Sequence, residues 1–199
     1  MPLVFATLQA DLISTFNSMD SITENGDKYC ADEMAAAIKK YILTGAVSTT
    51  DSGAAPAGSY AGAGVGTMSI NDTALASDLL NTFLAKYNDD DLATNMANDI
   101  DRACSTGDPV STLSNGTVTF PGGSSAFSGP GQGRLSGNKG TIEGMLKACF
   151  SSMKNMSAGG NALYALQLAT AVTMYLTAGT INVDLKLPFL SGSGSGRIV

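Results

Sequence analysis

Residues 59–68 read SYAGAGVGTM and place glycine at every second position: Gly62, Gly64 and Gly66. Two readings compete for such a stretch. It is either a loop whose amides cradle a phosphate or a flexible joint between packed elements. A phosphate-binding glycine loop follows a strand, opens a helix, and has an acidic partner about 20 residues further on. The stretch also has relatives: GAGVGTM at 62–68 is echoed by GPGQGRL at 129–135 and by GSGSGRI at 192–198. Each is Gly-x-Gly-x-Gly, then Thr or Arg, then a large apolar residue, Met68, Leu135 or Ile198. The third copy stands at the end of the sequence, where no helix is expected to open on it. No Gly-x-x-x-x-Gly-Lys-Ser/Thr run occurs, since SGNKGT at 136–141 carries Asn138 where that motif needs lysine. The joint is therefore the expected role, and all three triplets are read as connectors.

The match extends upstream. Pro56, Pro121 and Pro188 precede the three triplets, and YILTGAVST, ACSTGDPVST and YLTAGTINV stand before them as related Thr- and Gly-containing segments. Ahead of these lie helical patterns in pairs. Phe5, Leu8, Leu12, Phe16 and Met19 recur at helical spacing, followed by Met34, Ile38, Tyr41 and Ile42. Leu75, Leu79, Phe83 and Tyr87 form the next stripe, then Leu92, Met96, Ile100 and Cys104. Ile142, Met145, Leu146, Cys149, Phe150 and Met153 form a fifth, ahead of an apolar stretch from Ala162 to Ala178.

These features divide the chain into three units, 1–68, 69–137 and 138–199. The expected fold is mainly α: three tandem helix-pair repeats, each followed by a short extended segment or β-hairpin and a Gly-rich arm. Val118–Phe120 and Ile181–Leu187 have the alternation of short strands. Segments 46–68, 107–137 and 180–199 hold most of the glycine and proline. Ordering such backbone costs about 1–2 kcal/mol per residue, so these arms are expected to be mobile alone and ordered only across another subunit. Phe189, Leu190, Arg197 and Ile198 are the candidate subunit-contact residues.

Composition removes whole classes of chemistry. The 199 residues include no histidine, which eliminates Ser-His-Asp and Cys-His units and the commonest zinc ligand. Charged residues make up 14%, against about 25% in ordinary soluble domains. A net charge of −6 with scattered lysines and arginines argues against direct nucleic-acid binding. Cys30, Cys104 and Cys149 form no Cys-x-x-Cys pair and read as reduced, small buried hydrophobes. The start, MPLVFATLQADLISTF, lacks the basic region of a secretory signal. The stretch 162–178 is short for a membrane span and reads as a helix buried on nearly all sides.

The remaining candidates have plainer explanations. Asp89, Asp90 and Asp91 lack the alternation and glycine of a calcium loop, and Asp90 or Asp91 as a helix N-cap accounts for them. Asp99 and Asp101 fall on different helix faces, so they form no catalytic carboxylate pair. No catalytic residue, cofactor site or metal site is expected.

Low charge, many small residues and helix pairs with Gly/Ser/Pro-rich arms resemble virion structural proteins of tailed bacteriophages. AAAIKKYILTGAV followed by PAGSYAGAGVGTM is similar to small phage proteins that carry one such unit. The resemblance implies a non-enzymatic part of a neck, tail or baseplate, located in the virion after synthesis in the host cytoplasm. Its implied partners are other virion proteins and copies of itself, with neither nucleic acid nor membrane. Two other classes stay open: an extracellular or cell-surface assembly protein, and a small-molecule-binding enzyme of unfamiliar type.

Overall fold

The computed structural model describes residues 3–55, 58–187 and 190–199. Among them the element order is α-α-β-β three times over. Helices α1 (Phe5–Met19) and α2 (Gly26–Ile42) lead into strands β1 (Val47–Ala55) and β2 (Gly58–Met68). Then come α3 (Asp72–Leu84), α4 (Asp89–Ser105), β3 (Val110–Phe120) and β4 (Gly123–Ser136). The last set is α5 (Lys139–Met153), α6 (Gly160–Ala178), β5 (Thr180–Leu187) and β6 (Leu190–Ile198). The six strands pair antiparallel in chain order, and β6 returns to β1, closing a barrel.

The six helices form a ring at one end of that barrel. Each packs on its neighbours in sequence, and α1 meets α6 to close the circle. The even helices line it with one repeated set of side chains. Ala31, Met34, Ala35, Ile38 and Ile42 of α2 correspond to Ala93, Met96, Ala97, Ile100 and Cys104 of α4. The same spacing gives Ala165, Leu168, Ala169, Val172 and Leu176 of α6, and all fifteen are essentially inaccessible. The alanines keep the helices close while the larger residues fill the centre, burying the apolar surface that drives folding. The core continues without a break into the barrel through Val47, Met68, Val110, Leu135, Ile181 and Ile198.

Local chemistry sets the helix starts. Asn71, Asn88 and Asn138 each accept a backbone N–H of the first turn, from Ala74, Asp91 and Gly140. The cap of α4 is thus Asn88, one position before the aspartate run. Asp89, Asp90 and Asp91 occupy the first turn, where the helix dipole favours negative charge. Helix α6 is less enclosed than its uncharged sequence suggests, for Leu166 and Met174 face solvent.

A mainly α repeat fold with free arms is therefore incorrect. Segments 46–68, 107–137 and 180–199 form the hairpins β1–β2, β3–β4 and β5–β6 of one closed barrel. The physical reason lies in the period of the glycines. Residues two apart on a strand share a face, and every triplet turns its glycines into the lumen. The interposed Ala63 and Val65, Pro130 and Gln132, Ser193 and Ser195 face outward. A six-stranded barrel is too narrow for side chains from all six strands. At the glycine positions the odd strands fill it, and Tyr60, Met68, Leu135 and Ile198 are the large inward side chains of the even strands.

Candidate functional site: the barrel and its lumen

The strand register repeats with the same threefold order as the helices. Val47 lies opposite Gly66 and Ile198, Val110 opposite Gly133 and Met68, and Ile181 opposite Gly196 and Leu135. Those non-glycine residues form an apolar floor beneath the helices. One step further out, Thr49, Thr112 and Val183 occupy equivalent positions on the odd strands. The next step brings Asp51, Ser114 and Leu185. The glycines Gly64, Gly131 and Gly194 lie between these side chains. Further out, Tyr60 and Val118 are buried toward the hairpin tips.

Between floor and tip the lumen is polar in two units and apolar in the third. Tyr60 and Ser114 share a hydrogen bond of 2.7 Å between their hydroxyls. Asp51 is 1% exposed, and neither of its carboxylate oxygens has a protein partner. The hydroxyls of Thr49 and Thr112 are likewise buried and unpartnered. The Cβ that Gly64 lacks would stand 2.8 Å from Asp51 Oδ2, against Thr49 Oγ1, and 3.5 Å from Thr112 Cβ. Two unsatisfied side chains of β1 therefore meet over Gly64, while the unpartnered Thr112 hydroxyl lies against Gly131.

The outside of the barrel is a different surface. Of the 11 basic and 17 acidic residues only Asp51, Arg134, Asp184, Lys186 and Arg197 lie on strands, and Asp51 points inward. The outward faces of β1, β2 and β3 carry no charge. Val65 (61% exposed) lies directly opposite Leu113 (51% exposed), and Leu113 opposite exposed Pro130, making an apolar row across β2, β3 and β4.

The four contact candidates have separate surroundings. Ile198 points into the barrel floor, 3% exposed, close to Gly45. Arg197 faces outward beside Ser48. The backbone of Leu190 pairs with Leu187 at the β5–β6 tip. Phe189 lies outside the described residues, as do Pro56 and Pro188. Sequence reasoning did not find Thr49, Asp51, Thr112 or the Val65–Leu113–Pro130 row. Its available signal was the alternation Val47-Thr49-Asp51 and Val110-Thr112-Ser114, both in phase with the glycines.

The ionisable groups of the helical ring are structural in their contacts. Asp99 is buried and accepts from Thr82 at 2.7 Å and from Arg102 at 2.6 Å. Burial raises its carboxyl above the usual range, and those two donors oppose the shift. Asp101 accepts instead from Tyr175 at 2.7 Å, on a different contact set from Asp99. All three cysteines are free. Burial, aided by Asp27, pushes the Cys30 thiol up to about 11, and burial with Asp101 pushes Cys104 up to about 12. Both are thereby held as unreactive thiols at neutral pH. Cys30 borders an apolar cavity of about 280 Å³ with Phe83, Phe150 and Tyr164.

Among the described residues no helix is long and apolar enough to cross a membrane, and no group of three or more His, Cys, Asp and Glu side chains is placed to hold a metal ion. Comparison with known proteins returns no family model, no curated protein and no solved structure that matches this chain.

Proposed function

We propose that the chain is a non-enzymatic structural component of a tailed-phage virion, in the neck, tail or baseplate, that binds other virion proteins and copies of itself. The observation that carries this reading is the outer barrel surface. Exposed strands of soluble proteins ordinarily carry charge that discourages association. Here three adjacent strands present Ser, Thr, Ala and Asn without a single charge, around the exposed pair Val65 and Leu113. Such a face is suited to burial against a neighbour, and its association would gain from the apolar row. The glycine-rich segments act in this reading as parts of a rigid barrel rather than as free arms.

The test is mass spectrometry of purified particles from a phage carrying this gene, with and without Leu113→Lys. The unmodified chain is expected in stoichiometric amounts. The lysine variant, folded by circular dichroism, is expected to be lost from the particle. Absence of the unmodified chain from intact particles would overturn the reading.

A further inference from the structure

The barrel holds a carboxylate that its own chain leaves unanswered. Asp51 is 1% exposed, with both oxygens unpartnered; Thr49 Oγ1 is unpartnered beside it over Gly64, and Thr112 Oγ1 is unpartnered against Gly131 of β4. Burying an uncompensated carboxylate is among the costliest things a fold can do. The threefold register makes the choice of residue conspicuous. At the positions equivalent to Asp51 the other two units carry Ser114 and Leu185, so barrel geometry alone does not require an acid there.

We propose that Asp51, Thr49 and Thr112 bind a dehydrated monovalent cation of the sodium class inside the barrel. The donors are all hard oxygens, the set preferred by alkali and alkaline-earth ions over transition metals. One carboxylate balances one positive charge, and the remaining donors are neutral hydroxyls. A divalent ion would need a second acid, and Asp184, the other acidic residue on the strands, faces outward.

Spacing agrees with a shared ion. The three side chains make no hydrogen bonds with one another, although Thr49 Oγ1 and Asp51 Oδ2 both lie over Gly64 and the Thr112 side chain approaches the same glycine through its Cβ. A calcium-sized ion takes oxygens at about 2.3–2.6 Å, and sodium has nearly that radius. Oxygens gathered around such an ion stand too far apart to bond each other well. The space that side chains on Gly64 and Gly194 would take is where the Asp51 carboxylate lies. A Cβ on Gly194 would strike Asp51 Oδ1. The floor of Val47, Val110 and Ile181 lies on one side of the site, and buried Tyr60 and Val118 lie on the other. Cation uptake is therefore coupled to barrel closure, and binding adds to folding stability by mass action.

The experiment is thermal unfolding at constant ionic strength in sodium, potassium, calcium and N-methylglucamine chlorides. The wild-type midpoint is expected to rise by several degrees in sodium over N-methylglucamine, saturably with sodium concentration, and the rise to vanish in Asp51→Asn. Asp51→Ser, which installs the second unit's own residue, is the companion variant should Asn prevent folding, and the same loss is expected there. Equal midpoints in all salts, or an undiminished sodium response in the folded variant, would overturn the proposal. So would stabilisation by calcium alone. Crystals of the wild type grown with thallium(I), an anomalous-scattering probe for monovalent ions, should show a peak in contact with Asp51, Thr49 and Thr112. A lumen holding only water at that point also overturns it.

Discussion

Alanine in place of Gly66, Gly133 or Gly196 should destabilise the protein, although the same change in a connector would stabilise it. None of the three has positive φ, so alanine can adopt their backbone conformation. In a flexible joint, Gly→Ala at such a site gains about 0.4–1 kcal/mol by restricting the unfolded chain. In the barrel the added methyl has nowhere to go. At Gly66 it would meet Thr112 Cα at 2.7 Å and the carbonyl of Ser111. At Gly133 it would meet Val183 Cα at 2.7 Å, and at Gly196 Thr49 Cα at 2.6 Å. These are backbone atoms of paired strands and cannot swing aside as a rotamer would. Overpacking costs about 1–3 kcal/mol, and rigid neighbours favour the upper end. Subtracting the entropic gain leaves a net loss of about 2 kcal/mol. Urea unfolding followed by circular dichroism should show a lower midpoint with an unchanged slope for each variant. Ser195→Ala, on the outer face between two of the glycines, should change it by less than about 0.5 kcal/mol. Three alanine variants as stable as the wild type, or more so, would refute the barrel as the setting of the triplets.

Removing the Thr82 donor by Thr82→Val should cost about 1–3 kcal/mol by leaving one oxygen of buried Asp99 unpaired, read as a shift of the urea midpoint. Phe16→Ala should cost about 3–5 kcal/mol, since the Phe16 ring stacks on Tyr164 with centroids 4.5 Å apart; the same urea titration measures it. Stability should fall in alkali. The folded-state pKa of Cys104 is raised by burial to about 12 from 9.0, so its contribution is intact below about 9 and is lost as pH climbs toward 12. Tyr41, Tyr164 and Tyr175, all raised above 10.0 first by burial, act with the same sign at higher pH. Unfolding midpoints measured from pH 8 to pH 11 should decline steadily, and a flat profile would contradict the enclosure of these groups.

The helical half of the fold was legible because its signal is local. Stripes such as Met34-Ile38-Ile42 and Met96-Ile100-Cys104 carry the helical period in the chain itself, whereas the α4 cap, expected at Asp90 or Asp91, is Asn88 just before the acidic turn. The barrel was not legible by the same means. A strand normally declares itself by alternating apolar residues, but the inner face of β6 alternates glycine, because its lumen volume is filled by Thr49, Val183 and Leu185 from the neighbouring strands. The apolar partner of each glycine is thus on a different strand, invisible to any window along the sequence. The same displacement concealed the lumen cluster. In the sequence Asp51 is one polar residue in a polar segment, and only the register places it opposite Gly62 and Gly194.

Closure of the barrel through β1 and β6 imposes a delay on its synthesis. Val47 and Ile198 are ladder partners about 150 residues apart. At the usual elongation rate of about 5–20 residues per second, β1 waits roughly 8–30 s with one edge unpaired. Throughout that interval the complementary strand nearest to hand on a polysome is the β6 of an earlier copy. A ring that closes only with its last strand therefore makes neighbouring nascent chains rivals for the same seam. Late closure of this kind is where strand exchange between copies, a characteristic misassembly of repeat folds, finds its opening.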